Sequence, residues 1–143
     1  MITALFSRKF SAAHRLKNDD SVCSRIHGHN YSCIIYIEVM SLGEEMFVIP
    51  ADTIKELVDK KYDHRLILEE DDPVVDALAH CGTDWFVLTD FSPTTENLAM
   101  HIADEVGKAV LEYGHRAIKV RVQLSETDTI MADVTGTHNW RKE

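Results

Sequence analysis

Three histidines near the amino terminus have the spacing of a metal site. A single glycine separates His27 from His29, and on an extended strand two such side chains point to the same side, with their roots about 7 Å apart. His14 ends an earlier alternating segment and falls on its apolar face. If the two segments pair, three neutral imidazoles converge and leave a fourth position open, the pattern of catalytic zinc. The alternative is a set of unrelated histidines. The histidines outside these motifs are expected to be ordinary surface residues: His80, His101, His115 and His138.

Cys23 and the adjacent pair Asp63 and His64 are candidates for moving protons. Cys23 lies four residues before His27, and a thiolate close to zinc or to cationic groups has a lowered pKa and can act as a base or nucleophile. Alternatively, Cys23 is a fourth zinc ligand that closes a structural site, or a small apolar loop residue. Asp63 precedes His64 at the end of a predicted helix, where a carboxylate can orient an imidazole. A solvated helix end is the alternative there.

Glu126 is the polar residue that fits its surroundings least. It continues the alternation of Val120, Val122 and Leu124, so it is expected to face the core, where a carboxylate must find partners. A ligand with two adjacent N–H donors, such as the edge of a purine or pterin, would supply them. Alternatively, the strand ends at Leu124 and Glu126 lies in water. Glu96 is more simply explained as an anion in the first turn of a helix.

The composition is that of a globular chain, and residues 1–143 are expected to form one domain. Of the 143 residues, 45% are hydrophobic, and no apolar run is long enough to cross a membrane. The start lacks the pattern of a secretory signal, and three irregularly spaced cysteines argue against a disulfide framework. We therefore expect a cytoplasmic protein. The net charge of −9 and the lack of a basic cluster argue against a nucleic-acid partner, and an anionic substrate would need a local basic pocket.

Hydrophobic periodicity places these residues on six predicted elements. Alternation indicates strands, and apolar residues at helical spacing indicate helices, in the following ranges: strands over 2–14, 27–39, 118–126 and 130–134, helices over 54–62 and 94–113. Thr53 and Glu56 have the spacing of a capping box, with Asp52 as the other candidate cap. Residues 85–88 are either a short strand or a packed loop. The order ββααββ predicts an α+β fold, with a four-stranded antiparallel sheet and two helices on one face.

Five motifs, in order along the chain, resemble the 6-pyruvoyl-tetrahydropterin synthase / 6-carboxy-tetrahydropterin synthase family. The motifs are Phe10-Ser11-Ala12-Ala13-His14-Arg15-Leu16, Cys23-Ser24-Arg25-Ile26-His27-Gly28-His29-Asn30-Tyr31, Tyr62-Asp63-His64-Arg65-Leu66, Pro93-Thr94-Thr95-Glu96-Asn97-Leu98-Ala99 and Ser125-Glu126-Thr127-Asp128. The similarity spans nearly the whole chain. The family implies a tunnelling fold, in which three subunits close a barrel and two trimers stack into a homohexamer with active sites between subunits.

The resemblance also implies a role for each candidate residue. The ligands of Zn²⁺ would be His14, His27 and His29, and the zinc would grip the side-chain hydroxyls of a dihydroneopterin triphosphate. The proton-transfer residues would be Cys23 as general base and Asp63 with His64 as a relay pair. The substrate-binding residues would be Glu126, on the amino-pyrimidine edge of the pterin, with Thr95 and Glu96 nearby. Two regions depart from the family pattern: Pro50-Ala51 replaces a common Asp-Phe or Asn-Leu pair, and the stretch 69–91 is longer than in compact members.

Family members share a substrate but differ in product. One branch eliminates triphosphate and makes 6-pyruvoyl-tetrahydropterin, and another makes 6-carboxy-tetrahydropterin and acetaldehyde on the way to queuosine. A third releases 6-hydroxymethyl-dihydropterin, typically with a glutamate near the position of Cys23, so it is disfavoured here. We favour the carboxy branch because this chain resembles compact members, although the segments around Thr95 and Glu126 look somewhat like the pyruvoyl branch. A zinc- and pterin-binding protein without turnover, or a three-histidine zinc hydratase, are the other hypotheses.

Overall fold

The computed structural model describes residues 1–139, which contain six strands and four α-helices. The strands are β1 (Ile2–His14), β2 (His27–Val39), β3 (Arg65–Glu69), β4 (Phe86–Thr89), β5 (Ala117–Ser125) and β6 (Met131–Asn139). The helices are α1 (Ala51–Leu57), α2 (Asp59–Tyr62), α3 (Pro73–Ala77) and α4 (Thr95–Glu112). Within this part of the chain, no helix combines the length and apolar character needed to cross a membrane.

All six strands form one sheet in the order β4-β3-β1-β2-β5-β6. The hairpin β1–β2 is antiparallel over its full length, from Ile2 opposite Val39 to His14 opposite His27. β5 pairs antiparallel with β2, and β6 with β5, as expected for the last two predicted strands. These four strands carry all three histidines of the predicted metal site and lead to Glu126.

The predicted four-stranded sheet is wrong, because β3 and β4 extend it to six strands and pair parallel to their neighbours. β3 was missed because Leu66, Ile67 and Leu68 are all buried, so the segment lacks the alternation that marks a half-exposed strand. β4 has only four residues and corresponds to the short-strand alternative for 85–88. A purely antiparallel sheet was therefore also wrong.

The second predicted helix agrees with the structure more closely than the first. α4 has 18 residues, and its first turn is capped by Thr94, whose hydroxyl accepts a hydrogen bond from Asn97 N at 3.2 Å. The first predicted helix is split into α1 and α2 at Val58, where φ is −115°. The predicted capping box is wrong: Pro50 occupies the N-cap of α1, and no side chain caps it. Proline with its fixed φ starts a helix without a side-chain hydrogen bond.

One hydrophobic cluster joins the sheet to α1, α2 and α4. It includes alternate residues of the central strands together with residues of the three helices, among them Phe10, Tyr31, Ile54, Tyr62 and Val106. Phe10 stacks between Tyr31 and Tyr62, with ring centroids 4.9 Å and 5.4 Å away. This aromatic stack lies two positions before Ala12 and four before His14 on the same face of β1, so it supports the floor of the predicted metal site.

The prediction that the remaining histidines lie at the surface is wrong for His138. Its ring lies between β6 and α4, where a Cβ added to Gly107 would come within 2.4 Å of it, and its side chain is only 16% exposed. His101 accepts a hydrogen bond from Lys61, and His115 donates one to the carbonyl of Val48. These side chains have packing roles. His80 is exposed, as predicted.

Candidate metal centre and active site

The register of the β1–β2 hairpin brings the three candidate ligands together. His14 lies opposite His27, and Ala12 lies opposite His29, so the three imidazoles project from the same face of the sheet. Their ring centroids are 4.6 to 5.2 Å apart. One nitrogen of each ring can be chosen so that all three atoms lie within 4.8 Å of one another. The sequence prediction for this trio depended on the two strands pairing, and they do.

Backbone carbonyls fix the orientation of two of these rings. His14 Nδ1 lies 2.8 Å from the carbonyl oxygen of Pro93, and His27 Nδ1 lies 2.6 Å from that of Arg25. A carbonyl only accepts, so in both neutral rings Nδ1 carries the hydrogen and Nε2 carries a lone pair. The two Nε2 atoms face each other at 3.1 Å. Two lone pairs at this distance repel unless a cation or a proton lies between them.

His29 completes a set of donors suited to a divalent cation. Its Nε2 is buried without a hydrogen-bond partner among the described residues, and the nearest carboxylate oxygen, Oε2 of Glu126, is 3.9 Å away. Burial lowers the pKa of His14, which favours the neutral form that binds metal. With His14 and His27 held from behind by carbonyls and all three rings converging in front, the arrangement matches the way proteins orient histidine ligands of zinc.

Glu126 and Thr95 form a polar pair beside the histidines. Glu126 follows the last residue of β5, and Thr95, buried at the start of α4, donates a hydrogen bond to its Oε2 at 2.6 Å. The Glu126 side chain is 16% exposed, which fits the prediction of a largely buried carboxylate. One oxygen is held by Thr95, and the carboxylate retains capacity for further donors. Glu96 is exposed, so the structure does not bring it to this pair.

Cys23 lies on a single 3₁₀ turn, Val22–Ser24, in the loop between β1 and β2. Its carbonyl accepts a hydrogen bond from Leu16 N at 2.9 Å, and its own N–H donates to the hydroxyl of Ser21 at 3.1 Å. Cys23 forms no disulfide and is half-buried. Among the described residues, the group that could share one ion consists of the three histidines without Cys23. The fourth-ligand hypothesis for this cysteine therefore has no support from the geometry.

Asp63 and His64 are bonded to each other between α2 and β3. One carboxylate oxygen of Asp63 accepts the N–H of Ser11 at 2.8 Å, and the other lies 2.9 Å from Nδ1 of His64. The Ser11 N–H and then His64 lower the pKa of Asp63, so it stays ionised. His64 has φ of 58°, an uncommon value for a non-glycine residue, and its N–H donates to the carbonyl of Ser11 at 2.7 Å.

The Asp63–His64 pair opens onto a cleft beside the cluster of three histidines. The His64 side chain is 85% exposed and borders a cleft of about 430 Å³, whose lining residues are Ser11, Ala12, Ala13, Gly28, His29, Asn30, His64, Arg65, Leu66 and Trp85. Ser11 and Asn30 lie opposite each other and are hydrogen-bonded on the face that alternates with the imidazole face. Of the three clustered histidines, only His29 borders this cleft.

Sequence reasoning missed the groups that orient the candidate ligands. The carbonyls of Pro93 and Arg25 leave no signal in a residue type, although Pro93 directly precedes the predicted helix start. The hydroxyl of Tyr31 lies 3.5 Å from His14 Nδ1, and its role as a neighbour of the candidate ligands was not predicted. Trp85, in the segment with the least clear pattern, was not expected at the cleft that His64 borders.

Comparisons with known proteins agree on one family. The family model described as 6-pyruvoyl tetrahydropterin synthase matches residues 4–137. A probable 6-carboxy-5,6,7,8-tetrahydropterin synthase from Halobacterium salinarum is 35% identical over 126 residues, covering 87% of this chain and 80% of the relative. The Bacillus subtilis 6-carboxy-5,6,7,8-tetrahydropterin synthase is 32% identical over 120 residues, covering 83% and 75%.

Solved structures at lower identity share the fold. An uncharacterized protein from Wolinella succinogenes superposes with a TM-score of 0.67 at 19% identity, covering 94% of this chain and 98% of that one. The 6-pyruvoyl tetrahydropterin synthase of Plasmodium falciparum has a TM-score of 0.58 at 20% identity, with the same coverage. These likenesses agree with the α+β tunnelling fold expected from the sequence motifs, apart from the number of strands. With the family model spanning nearly the whole chain, this protein belongs to the 6-pyruvoyl tetrahydropterin synthase family.

Proposed function

We propose that this chain is a zinc-dependent lyase acting on 7,8-dihydroneopterin triphosphate. With one water, the substrate would give 6-carboxy-5,6,7,8-tetrahydropterin, acetaldehyde and triphosphate, in the queuosine and deazapurine pathway. The observation that carries this proposal is the convergence of three imidazoles, two with Nε2 lone pairs facing each other at 3.1 Å. The names of the Halobacterium salinarum and Bacillus subtilis relatives support the carboxy branch over the pyruvoyl branch.

His14, His27 and His29 would hold the zinc, and each is suited to this by its surroundings. The carbonyls of Pro93 and Arg25 hold two of the rings with Nε2 forward, and the buried Nε2 of His29 is left for the same ion. When bound, zinc polarises substrate oxygens and makes neighbouring C–H and O–H groups more acidic. The three neutral ligands leave the net positive charge on the ion undiminished, which favours binding of an oxygen that gains negative charge.

Glu126 would recognise the pterin ring. Its carboxylate is held by Thr95 at 2.6 Å and lies 3.9 Å from His29 Nε2, so a molecule bound to it would also be adjacent to the histidines. The 2-amino group and ring N–H of a pterin present two adjacent donors, and a carboxylate accepts such a pair in a planar, charge-assisted arrangement. Thr95 leaves the carboxylate in one orientation for this contact. Glu96 has no part in this proposal, since its side chain is exposed.

Cys23 would be the general base. It is half-buried on a loop that leaves β1 at His14 and enters β2 at His27, so the chain confines it near the ligands without making it one of them. A thiolate that takes a proton in the transition state contributes about 10²- to 10⁴-fold to the rate of such a step. The proton would be taken from the substrate side chain, next to the oxygens that the zinc holds.

Asp63 and His64 would act as the relay pair on the substrate of a neighbouring subunit. Asp63 remains ionised and fixes His64 Nδ1 at 2.9 Å, which leaves Nε2 of this exposed ring free to exchange a proton. Because neither His14 nor His27 borders the cleft onto which the pair opens, a second copy is the simplest way to bring it to a complete site. This is consistent with the homohexamer, a dimer of trimers, that the sequence resemblance implies.

Two other functions remain as alternatives with distinct signatures. Elimination of triphosphate to 6-pyruvoyl-tetrahydropterin would use the same residues, and the Plasmodium falciparum structure carries that name. A zinc- and pterin-binding protein without turnover is the alternative if Cys23 is a zinc ligand instead of a base, although the geometry groups the three histidines without it. We place the protein in the cytoplasm, where its three free cysteines would stay reduced.

Product analysis tests the proposal directly. Purified, zinc-loaded protein is incubated with 7,8-dihydroneopterin triphosphate, and the products are separated and identified by mass spectrometry, with acetaldehyde trapped as a hydrazone. We expect 6-carboxy-tetrahydropterin and acetaldehyde in equal amounts. A 6-pyruvoyl product without acetaldehyde would replace the carboxy branch by the pyruvoyl branch, and zinc and pterin binding without any consumption would support the non-catalytic alternative.

A further inference from the structure

The loop that carries Cys23, residues 15–26, forms ion pairs with the acidic turn at the end of β3, residues 69–72. Arg15, the residue directly after His14, donates from Nε to Oδ2 of Asp72 at 2.8 Å. The Asp72 side chain is 1% exposed and that of Arg15 is 21% exposed. A buried carboxylate requires full compensation by charge and hydrogen bonds. The contact therefore fixes the position of Arg15 much more strongly than an ion pair at the surface would.

Asp72 is itself held rigidly. Its second oxygen, Oδ1, accepts the N–H of Val74 at 2.9 Å and caps α3, and its own N–H donates to the carbonyl of Glu69 at 3.0 Å. One carboxylate thus anchors to its own turn with one oxygen and holds Arg15 with the other. The acidic turn starts the stretch 69–91, which the sequence marked as longer than in compact family members.

A second, weaker contact joins the same two segments. Lys17 pairs with Asp71 and lies 3.8 Å from an oxygen of Glu69. The Asp71 side chain is 72% exposed, so this contact is screened by solvent and contributes little by itself. Arg15 and Lys17, the two cations near the start of the loop, both pair with carboxylates of the same turn. Together the two pairs define where the loop contacts this turn.

The position of Arg15 is passed on to Cys23 by backbone hydrogen bonds. Leu16, the next residue, donates its N–H to the carbonyl of Cys23 at 2.9 Å and accepts from Asp19 N at 3.1 Å. Asp19 in turn accepts the N–H of Ser21 at 2.6 Å, and Ser21 receives the N–H of Cys23. These hydrogen bonds close the loop on itself, and among residues 1–139 its one contact with a buried charge outside the loop is made by Arg15.

We propose that Asp72, acting through Arg15, is a positioning residue that places the Cys23 thiol for proton transfer. This inference rests on the proposed function, in which Cys23 is the general base. A misplacement of about 1 Å at a reacting group can reduce turnover by about 100-fold, so a loop of this length needs an anchor. The acidic turn supplies the anchor from a different part of the chain, next to the point where the loop leaves β1.

The test replaces Asp72 by asparagine in the zinc-loaded protein. Asp72→Asn keeps an oxygen that can cap α3 but removes the charge that holds Arg15. We measure alkylation of each cysteine by iodoacetamide at fixed pH, zinc content, kcat and KM. The expected result is a several-fold faster alkylation of Cys23, unchanged zinc, and kcat reduced by about 10- to 100-fold with little change in KM.

The two other cysteines make the alkylation experiment self-controlled. Cys81 is exposed and serves as the reference for reagent and pH, whereas Cys33 is buried and reacts only when the core opens. Faster reaction of Cys23 with Cys33 still protected supports positioning. Equal acceleration of Cys33, or an unchanged rate at Cys23, would overturn the proposal. Glu56→Gln, which removes a solvent-exposed ion pair with Lys60, is the matched control and should change neither rate nor turnover.

Substitutions at Arg15 provide a second route if Asp72→Asn does not fold. Arg15→Gln should reproduce the faster alkylation of Cys23, and Arg15→Lys, which keeps the charge, should restore most of the wild-type protection. Equal effects of the two would show that charge pairing with Asp72 is not what holds the loop. Alkylation is measured without substrate, so a wild-type protein that fails to consume dihydroneopterin triphosphate would refute the proposed function while still testing the anchor.

Discussion

The candidate metal cluster of His14, His27 and His29 and the Asp63–His64 pair are built in opposite ways. His14 is 2% exposed, lies within a regular hairpin, and is held from behind by a backbone carbonyl. His64 is almost fully exposed, lies between two elements, and has a positive φ. Both regions contain a histidine fixed at Nδ1, but one ring is enclosed by its own chain and the other is presented to the outside.

This contrast indicates which half of the proposed site a single chain can complete. The three imidazoles and the Glu126–Thr95 pair are assembled by β1, β2, β5 and α4 without help. The Asp63–His64 pair is held equally well through Ser11, but neither His14 nor His27 borders the cleft onto which it opens. A residue held in an uncommon backbone conformation and exposed to solvent points to a function that needs another molecule.

The largest effect is expected from removing a metal ligand. His27→Ala should reduce zinc from about one ion per chain to a small fraction and reduce turnover by at least about 100-fold, because two nitrogens cannot replace three. Zinc is measured by inductively coupled plasma mass spectrometry and turnover by consumption of dihydroneopterin triphosphate. His80→Ala, at an exposed position, is the control. Full zinc content in His27→Ala would refute the proposed ligand set.

Removing the Cys23 thiol should separate catalysis from metal binding. Cys23→Ala is expected to keep its zinc and to lose about 10²- to 10⁴-fold in kcat, since the thiol lies outside the group of side chains that could share the ion. The same two measurements apply. If zinc is lost together with activity, Cys23 is a ligand, and the non-catalytic alternative gains support.

Neutralising Glu126 should weaken substrate binding and leave the zinc content unchanged. Glu126→Gln replaces one acceptor oxygen by a donor and removes the charge, and losing a hydrogen bond to a charged group weakens binding by about 1.5–3 kcal/mol. KM should therefore rise by about 10- to 150-fold, with zinc unchanged. The matched control is Glu96→Gln, whose side chain is exposed. An unchanged KM for Glu126→Gln would remove this residue from the substrate site.

Complementation between inactive subunits tests whether the two regions meet across an interface. Cys23→Ala and His64→Ala chains with different tags are co-expressed and purified through both tags. If each site takes Cys23 from one chain and His64 from another, about half of the sites receive an intact Cys23 and about half receive an intact His64. About one quarter of the sites then have both residues, so about one quarter of wild-type activity should return.

The control for complementation pairs two defects in the same half of the site. Cys23→Ala with His27→Ala should restore nothing, because neither chain can then supply both the thiol and the metal. No recovery in the Cys23→Ala and His64→Ala mixture would mean that the relay pair and the metal cluster serve the same chain, or that His64 has no part in the reaction.

Sequence alone predicted the region built from regular, alternating strands. The β1–β2 hairpin could be anticipated because each strand has a polar and an apolar face, and register follows when one face is buried. The convergence of His14, His27 and His29 is a consequence of that register. Glu126 was expected to face the core because it continues the alternation of β5, whereas its place beside His29 is known only from the structure.

The regions that sequence could not predict lack a periodic signal or depend on backbone groups. β3 is buried on both sides and β4 is short, so neither shows the alternation that identifies a strand. The carbonyls of Pro93 and Arg25 are independent of residue type. The anchoring of Arg15 by Asp72 joins positions 57 residues apart, and no local pattern reveals such a contact.

The segment that leads into α4, residues 93–95, contacts two parts of the candidate site. Pro93 holds His14, a proposed metal ligand, through its carbonyl, and Thr95, two residues later, holds Glu126 through its hydroxyl. Two residues of chain span at most about 7 Å, so covalent geometry limits how far apart His14 and Glu126, the proposed zinc and pterin contacts, can lie. Under the proposed function, a ligand whose ring and hydroxyls are joined by a much longer link would not match both contacts.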